Sequence, residues 1–169
     1  SLIWMREEEK LAHDIYTALY QKWGKQIFSN IAASETTHTE AVLWLLDKYG
    51  IPDPAKTQAG VFTSPALQKL YDTLVAQWNA SLRDALIVWA TIEDLDIYDL
   101  NSQMKDVDNV DIATVYARLK SGSENHMRAF VRNLNQNGWT YTPAYISQAE
   151  YDAIIGSEQQ WWMGRGRNN

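Results

Sequence analysis

At 169 residues, with a formal charge of −6 and no cysteine, the chain has the length of a single domain able to bury a substantial core of its own. The lack of cysteine excludes disulfides, Cys-zinc sites, iron–sulfur clusters and thiol nucleophiles, and the acidic balance disfavours nucleic acid and anionic lipid, both of which call for a basic patch. No apolar run approaches the ~18 residues of a membrane helix, so a soluble domain is expected, cytoplasmic or exported after loss of an N-terminal segment.

Met5, Leu11, Ala12, Ile15, Tyr16, Leu19 and Trp23 recur at helical spacing over residues 2–23, and Gly24 supplies a stop. A second helix is expected from near Ser29 to Tyr49, closed by Gly50 with Pro52 and Pro54 beyond it. A long connection follows, with Gly60, a Ser64-Pro65 start signal, and Leu67, Leu70, Leu74 and Val75 marking a short extra helix. That length makes it a crossover and not a hairpin.

Ser81, with Asp84 three residues on, caps a third long helix whose stripe is Leu82, Leu86, Trp89, Ile97, Leu100 and Met104. A fourth starts near Asn109 and carries Ile112, Val115, Tyr116, Leu119, Met127 and Phe130 before Gly138. Ser147 and Glu150 form a capping box for a short terminal helix ending at Gly156, and residues 157–169, with Trp161 and Trp162, read as a loosely ordered tail. No strand alternation or repeat intervenes, so the chain reads as all-α: one domain over residues 1–156, two helical pairs joined by one long crossover. The eight tryptophans supply aromatic mass for a filled core.

Charges fall where leucines belong. Glu35-Thr36-Thr37-His38 puts a carboxylate and an imidazole on one helical face, among Phe28, Ile31, Val42, Leu45, Leu46 and Tyr49. At about 100° per residue, Glu93 lies mid-stripe on the third long helix and His126 lies between Val115, Leu119 and Phe130 on the fourth. On the first helix the projection slightly prefers Glu8 over Glu9 as the inward residue. A lone inward histidine is more often a hydrogen-bonded core residue, and Glu-x-x-His recurs by chance. Four helices each delivering an ionisable group are another matter, because no Lys or Arg shares the stripes and the chain shows no other use for buried charge. The pattern points to metal. Imidazole with several carboxylates suits iron, manganese or zinc better than calcium or copper(I). Three carboxylates, with a fourth from Asp96 or the spare helix 1 glutamate, balance two divalent ions, which bridging carboxylates hold ~3.5–4 Å apart.

These residues resemble the ferritin-like di-iron carboxylate proteins, whose four-helix bundle draws a Glu from each of two helices and Glu-x-x-His from each of the other two. The resemblance covers about residues 5–135. The stretch from Glu9 to Tyr16 is similar to the rubrerythrin and ferritin first helix, where a ligand Glu precedes a Tyr by seven residues; it implies Glu9 as the ligand and Tyr16 as its neighbour, a candidate carrier of an oxidised intermediate or a structural hydrogen bonder. It likewise implies Glu35, His38, Glu93 and His126 as ligands. The fourth helix departs from the pattern: Ser123 stands where the Glu belongs, and Glu124 points away. Glu8 or Asp96 is expected to substitute, or one metal keeps an open position. The wording of the chain looks most like an uncharacterised ferritin-like subgroup.

What the resemblance implies is two transition-metal ions, iron first with manganese or zinc as alternatives, and an oxidoreductase of ferroxidase or peroxidase type using oxygen or peroxide. Without cysteine there is no rubredoxin-type relay, so electrons come from an external donor or from ferrous iron as substrate. The alternatives are a non-catalytic metal-binding or storage bundle and a scaffold with a vestigial site. Trp44, opposite the Glu35 and His38 stripe, is the candidate contact for a homodimer or for packing under the crossover or the terminal segment.

Overall fold

The computed structural model describes residues 1–78 and 80–165, with side chains as far as Ser157. Among these residues there are six helices and no strand: α1 Leu2–Trp23, α2 Gln26–Lys48, α3 Pro65–Trp78, α4 Leu82–Met104, α5 Val110–Gln136 and α6 Gln148–Arg165. None is long and apolar enough to cross a membrane.

Local chemistry sets the helix ends. Ser81 accepts from the Asp84 N–H, and Asn109 accepts from those of Asp111 and Ile112, satisfying donors that a first helical turn leaves open. Gly24, at φ 61°, ends α1 in the left-handed conformation. The link to α2 is therefore only Gly24 and Lys25, and α2 starts at Gln26, a turn earlier than Ser29.

α1 packs along α2 and α4 along α5, with α2 against α5 and α1 against α4. Trp4 Nε1 donates to Asp99 Oδ2 at 2.9 Å, while further along the Tyr16 and Trp89 rings meet at 4.7 Å, so α1 and α4 are antiparallel. α2 and α4 consequently run the same way, and residues 49–81 must carry the chain back along their length. α3 lies in that return path, on α4 and α1.

The expectation that buried charge has no structural use does not hold. Glu7 accepts from the backbone N–H groups of Thr63 and Ser64 ahead of α3. Asp14 accepts from Gly60 N at 2.9 Å and from Lys10, whose ammonium also reaches Gln58 O at 3.1 Å. Asp94 accepts from the Tyr141 hydroxyl at 2.8 Å, from Ile146 N at 2.8 Å, and from Ala144 N and Tyr145 N. Each pins a loop whose backbone donors have no other helix or strand to pair with.

Two further expectations are corrected. The terminal helix does not stop at Gly156 but continues to Arg165, so residues 157–165 of the expected tail are helical, while residues 166–169 lie outside the described residues. Gly24, Gly50, Gly60 and Gly138 take positive φ, and Gly156 does not; a glycine stops a helix only in that conformation. Trp44 is 52% exposed, with Lys48 Nζ 4.9 Å from its ring, and neither the crossover nor the described part of the terminal segment covers it.

The apolar core is in two pieces. One holds Ile15, Leu19, Phe28, Trp89, Phe130 and Leu134 among others; the other holds Met5, Val42, Leu45, Leu46, Leu100 and Leu119. In the first piece Trp89 meets Tyr16, Phe28 and Phe130 at 4.7, 3.7 and 4.5 Å, one ring from each long helix. On α1, α2 and α5 the buried residues between the two pieces are polar or charged, and on α4 Glu93, Asp94 and Asp96 interrupt the end of the first.

Asp94→Ala is expected to strand three backbone donors and a phenol, lowering stability by about 3 kcal/mol. Urea unfolding of the metal-free chain reads this as a lower midpoint with an unchanged slope; an unshifted midpoint would mean that residues 141–146 are held by other contacts.

Candidate metal centre

Five side chains from the four long helices meet in the polar layer: Glu9 from α1, Glu35 and His38 from α2, Glu93 from α4 and His126 from α5. None is more than 9% exposed. Glu35 occupies the middle. Its Oε2 lies 2.9 Å from His38 Nδ1 and its Oε1 lies 2.9 Å from His126 Nδ1. His38 Nδ1 is also 3.3 Å from Glu9 Oε2, and His126 Nδ1 is 3.5 Å from Glu93 Oε1. Two three-residue groups result, Glu9–Glu35–His38 and Glu35–Glu93–His126, each with ligand atoms within 4.8 Å of one another and with Glu35 common to both. The i, i+3 step of Glu35 and His38 places both on one helical face, and the His38 and His126 rings stack at 5.6 Å.

Hydrogen bonding does not account for this layer. Both Glu9 oxygens, Glu35 Oε1, Glu93 Oε2 and His126 Nδ1 are buried without a hydrogen-bond partner. His126 Nδ1 and Glu35 Oε1 face each other at 2.9 Å, out of line for a hydrogen bond. Buried carboxylate oxygens left unpaired are costly, and oxygen and imidazole lone pairs turned inward together form the donor set of a borderline divalent metal.

Electrostatics link the five groups. Burial disfavours imidazolium at His38, yet Glu35 and Glu9 outweigh it and lift the ring to about 11. His126 is raised to about 10 against the same burial by Glu93 and Glu35. Glu35, opposed by burial, is drawn below the usual carboxylate range by His126 and His38, whereas burial pushes Glu9 and Glu93 up. Without metal, the surrounding carboxylates favour the imidazolium form of both rings.

The remaining expected residues divide. Tyr16, fully buried, donates its hydroxyl to Glu93 Oε1, which makes it a partner of a candidate ligand; burial, then Glu93, pushes its phenol well above the ordinary value. Glu9 faces His38 and Glu35, whereas Glu8 faces Asp99 and Trp4. Asp96 is buried within the electrostatic reach of Glu9, Glu8, Glu93 and Glu35. Neither Glu8 nor Asp96 belongs to the two groups. Ser123 is buried with its hydroxyl donating to Leu119 O at 3.3 Å, and Glu124 turns outward to Lys120 at 3.5 Å. His13, the third histidine, sits beside Asp14 at 3.3 Å, away from the five.

One residue at the site was not anticipated. A Cβ added to Gly122 would lie 2.5 Å from His38 Nε2 and 2.6 Å from Cε1. The imidazole rests directly on the α5 backbone, and any side chain at 122 would displace it. The available signal was a glycine inside a long helix, where it costs about 1 kcal/mol relative to alanine and usually has a packing reason.

Comparison with known proteins adds kinship without an activity. The chain is similar to the uncharacterized protein MJ0754 of Methanocaldococcus jannaschii, 56% identical over 165 residues, covering 97% of this chain and 89% of that protein. It matches the crystal structure of hypothetical protein MJ0754 from Methanococcus jannaschii DSM 2661 with a TM-score of 0.90 at 58% identity, covering 92% of this chain and 89% of that one. The family model described as an uncharacterized protein domain, DUF2202, matches residues 1–158, and the chain belongs to that family.

Proposed function

We propose that α1, α2, α4 and α5 form a ferritin-like four-helix bundle that holds two transition-metal ions, iron first with manganese or zinc as alternatives, and works as an oxidoreductase of ferroxidase or peroxidase type. The observation carrying this reading is the pair of oxygen and nitrogen donor groups sharing Glu35, drawn from all four helices and left with unsatisfied inward atoms. Glu9 and His38 would hold one ion, Glu93 and His126 the other, and Glu35 both. Redox-active ions so held supply electrons to oxygen or peroxide.

The chain's own residues do the rest. Tyr16 orients Glu93 through its hydroxyl, and the Trp89, Phe28 and Phe130 rings close the layer on one side against water. His38 and His126 are 9% and 8% exposed while Glu9 and Glu93 are wholly buried, so the oxidant would meet the centre from the α2 and α5 side. An external donor, or ferrous iron as substrate, supplies the electrons.

Anaerobic loading with ferrous iron, metal counting, then exposure to oxygen or peroxide with absorbance followed in time tests the reading. Two ions per chain and oxidation faster than that of free ferrous iron are expected. Bound ions with unaccelerated oxidation would leave a storage or delivery protein, and failure to bind any transition metal would remove the centre. Glu35→Ala is expected to lose both ions and His38→Ala one.

Loading must displace the protons of His38 and His126, raised to about 11 and about 10 in the metal-free chain. Deprotonation becomes easier as pH rises toward those values, so apparent metal affinity should climb between about pH 6 and pH 9, with heats that depend on the ionisation enthalpy of the buffer. A pH-independent affinity in titration calorimetry would contradict this.

Gly122→Ala should stabilise the helix locally while pushing His38 off its seat. We expect the Glu9–His38 ion to weaken about 10- to 100-fold with the Glu93–His126 ion retained; equal retention of both would show that the ring tolerates the methyl group.

A further inference from the structure

The five donors leave one anomaly unexplained. Glu8 and Asp96 are 2% and 1% exposed, and none of their four carboxylate oxygens receives a hydrogen bond. Glu7, Asp14 and Asp94 have loop donors to bind, and Glu35 and Glu93 have histidines; Asp96 has neither, and Glu8 has beside it only Asp99 and the Trp4 indole that Asp99 already holds. Unpartnered buried carboxyls of this kind are retained against a large desolvation penalty.

Their placement is directional. On α4, Glu93, Asp96 and Asp99 follow at i, i+3 steps, which puts them on neighbouring sides of the helix over about 9 Å of its axis. Trp4, one turn before Glu8 on α1, donates to Asp99 Oδ2 at 2.9 Å, fixing the antiparallel register that sets Glu8 beside Asp99. Asp96 in turn feels the charges of both Glu8 and the candidate ligands Glu9, Glu93 and Glu35. The acids thus run from half-buried Asp99 through Glu8 and Asp96 to the centre, beside the apolar cluster that holds Met5, Leu100 and Tyr116.

We propose that Asp99, Glu8 and Asp96 form a cation path that takes hard divalent ions, ferrous or manganous, from solvent near the start of α1 and passes them to the centre. The proposal rests on the two-ion reading above. Oxygen-only ligands suit such ions but hold them less firmly than a set including imidazole. Neither Glu8 nor Asp96 belongs to a ready-made three-ligand group, which fits transit better than storage. A line of acids leading inward also draws cations to its mouth.

Manganous ion alone is the probe. The metal-free chain is mixed rapidly with it, and disappearance of the six-line resonance of free Mn²⁺ gives the loading rate, with the final ion count taken at equilibrium. Glu8→Gln and Asp96→Asn should reach the wild-type count about tenfold more slowly, and Asp99→Asn, whose amide oxygen can still accept from Trp4 Nε1, should slow loading with the fold retained. Circular dichroism and the unfolding midpoint verify that each variant is native. Loading at the wild-type rate in all three variants would overturn the path and leave the pair as proton holders. A lower final count in Glu8→Gln or Asp96→Asn would also overturn it, by making them ligands of the centre. If the wild type takes up no Mn²⁺, the two-ion centre and the path fail together, whereas normal uptake with unslowed variants sinks the path alone.

Discussion

Everything in this fold is arranged around Glu35, a fully buried carboxylate set between two imidazoles at 2.9 Å on either side. A charge in that position is tolerable only with both partners in place, because removing either leaves it desolvated and uncompensated. The partners come from different helices: His38 from α2 itself and His126 from α5. The spacing of α2 and α5 is therefore set by an ionic contact, and the missing Cβ at Gly122 lets the two backbones come that close. The apolar residues follow, filling the space on either side of the layer in two separate clusters.

Much of this is legible in the sequence because a helix keeps its faces. Glu35, His38, Glu93 and His126 lie on stripes that an angular projection identifies without knowledge of neighbours, and the structure brings all four together. On α1 the projection separates Glu8 from Glu9 poorly, for a physical reason. Glu7, Glu8, Glu9 and Lys10 are all buried, since α2, α4 and the crossover together surround that turn; a helix covered on every side has no outward face against which an inward one can be read. The resemblance to ferritin-like proteins pointed to Glu9, and it is Glu9 that faces His38.

What stayed hidden depends on groups that sequence periodicity does not describe. Asp94 looks like a stripe-edge acid, yet its partners are the backbone N–H groups of residues 144–146 and the Tyr141 hydroxyl, some fifty positions away. Gly122 carries no side chain, and its meaning lies in the ring resting on it. Gly156 resembles a stop signal, but whether a glycine ends a helix is decided by the backbone conformation that its surroundings impose, and α6 continues through it.

The layer also explains why so much acid can be buried in an otherwise conventional core. In the metal-free chain the histidine protons supply two positive charges, while burial raises Glu8 and Asp96 well above the usual carboxylate range. On the proposed reading, two divalent ions replace the two imidazolium protons and bring four positive charges against the three of Glu9, Glu35 and Glu93. That leaves one positive charge in excess. On that reading metal uptake and proton loss are one equilibrium, because the ions enter only as the His38 and His126 protons leave.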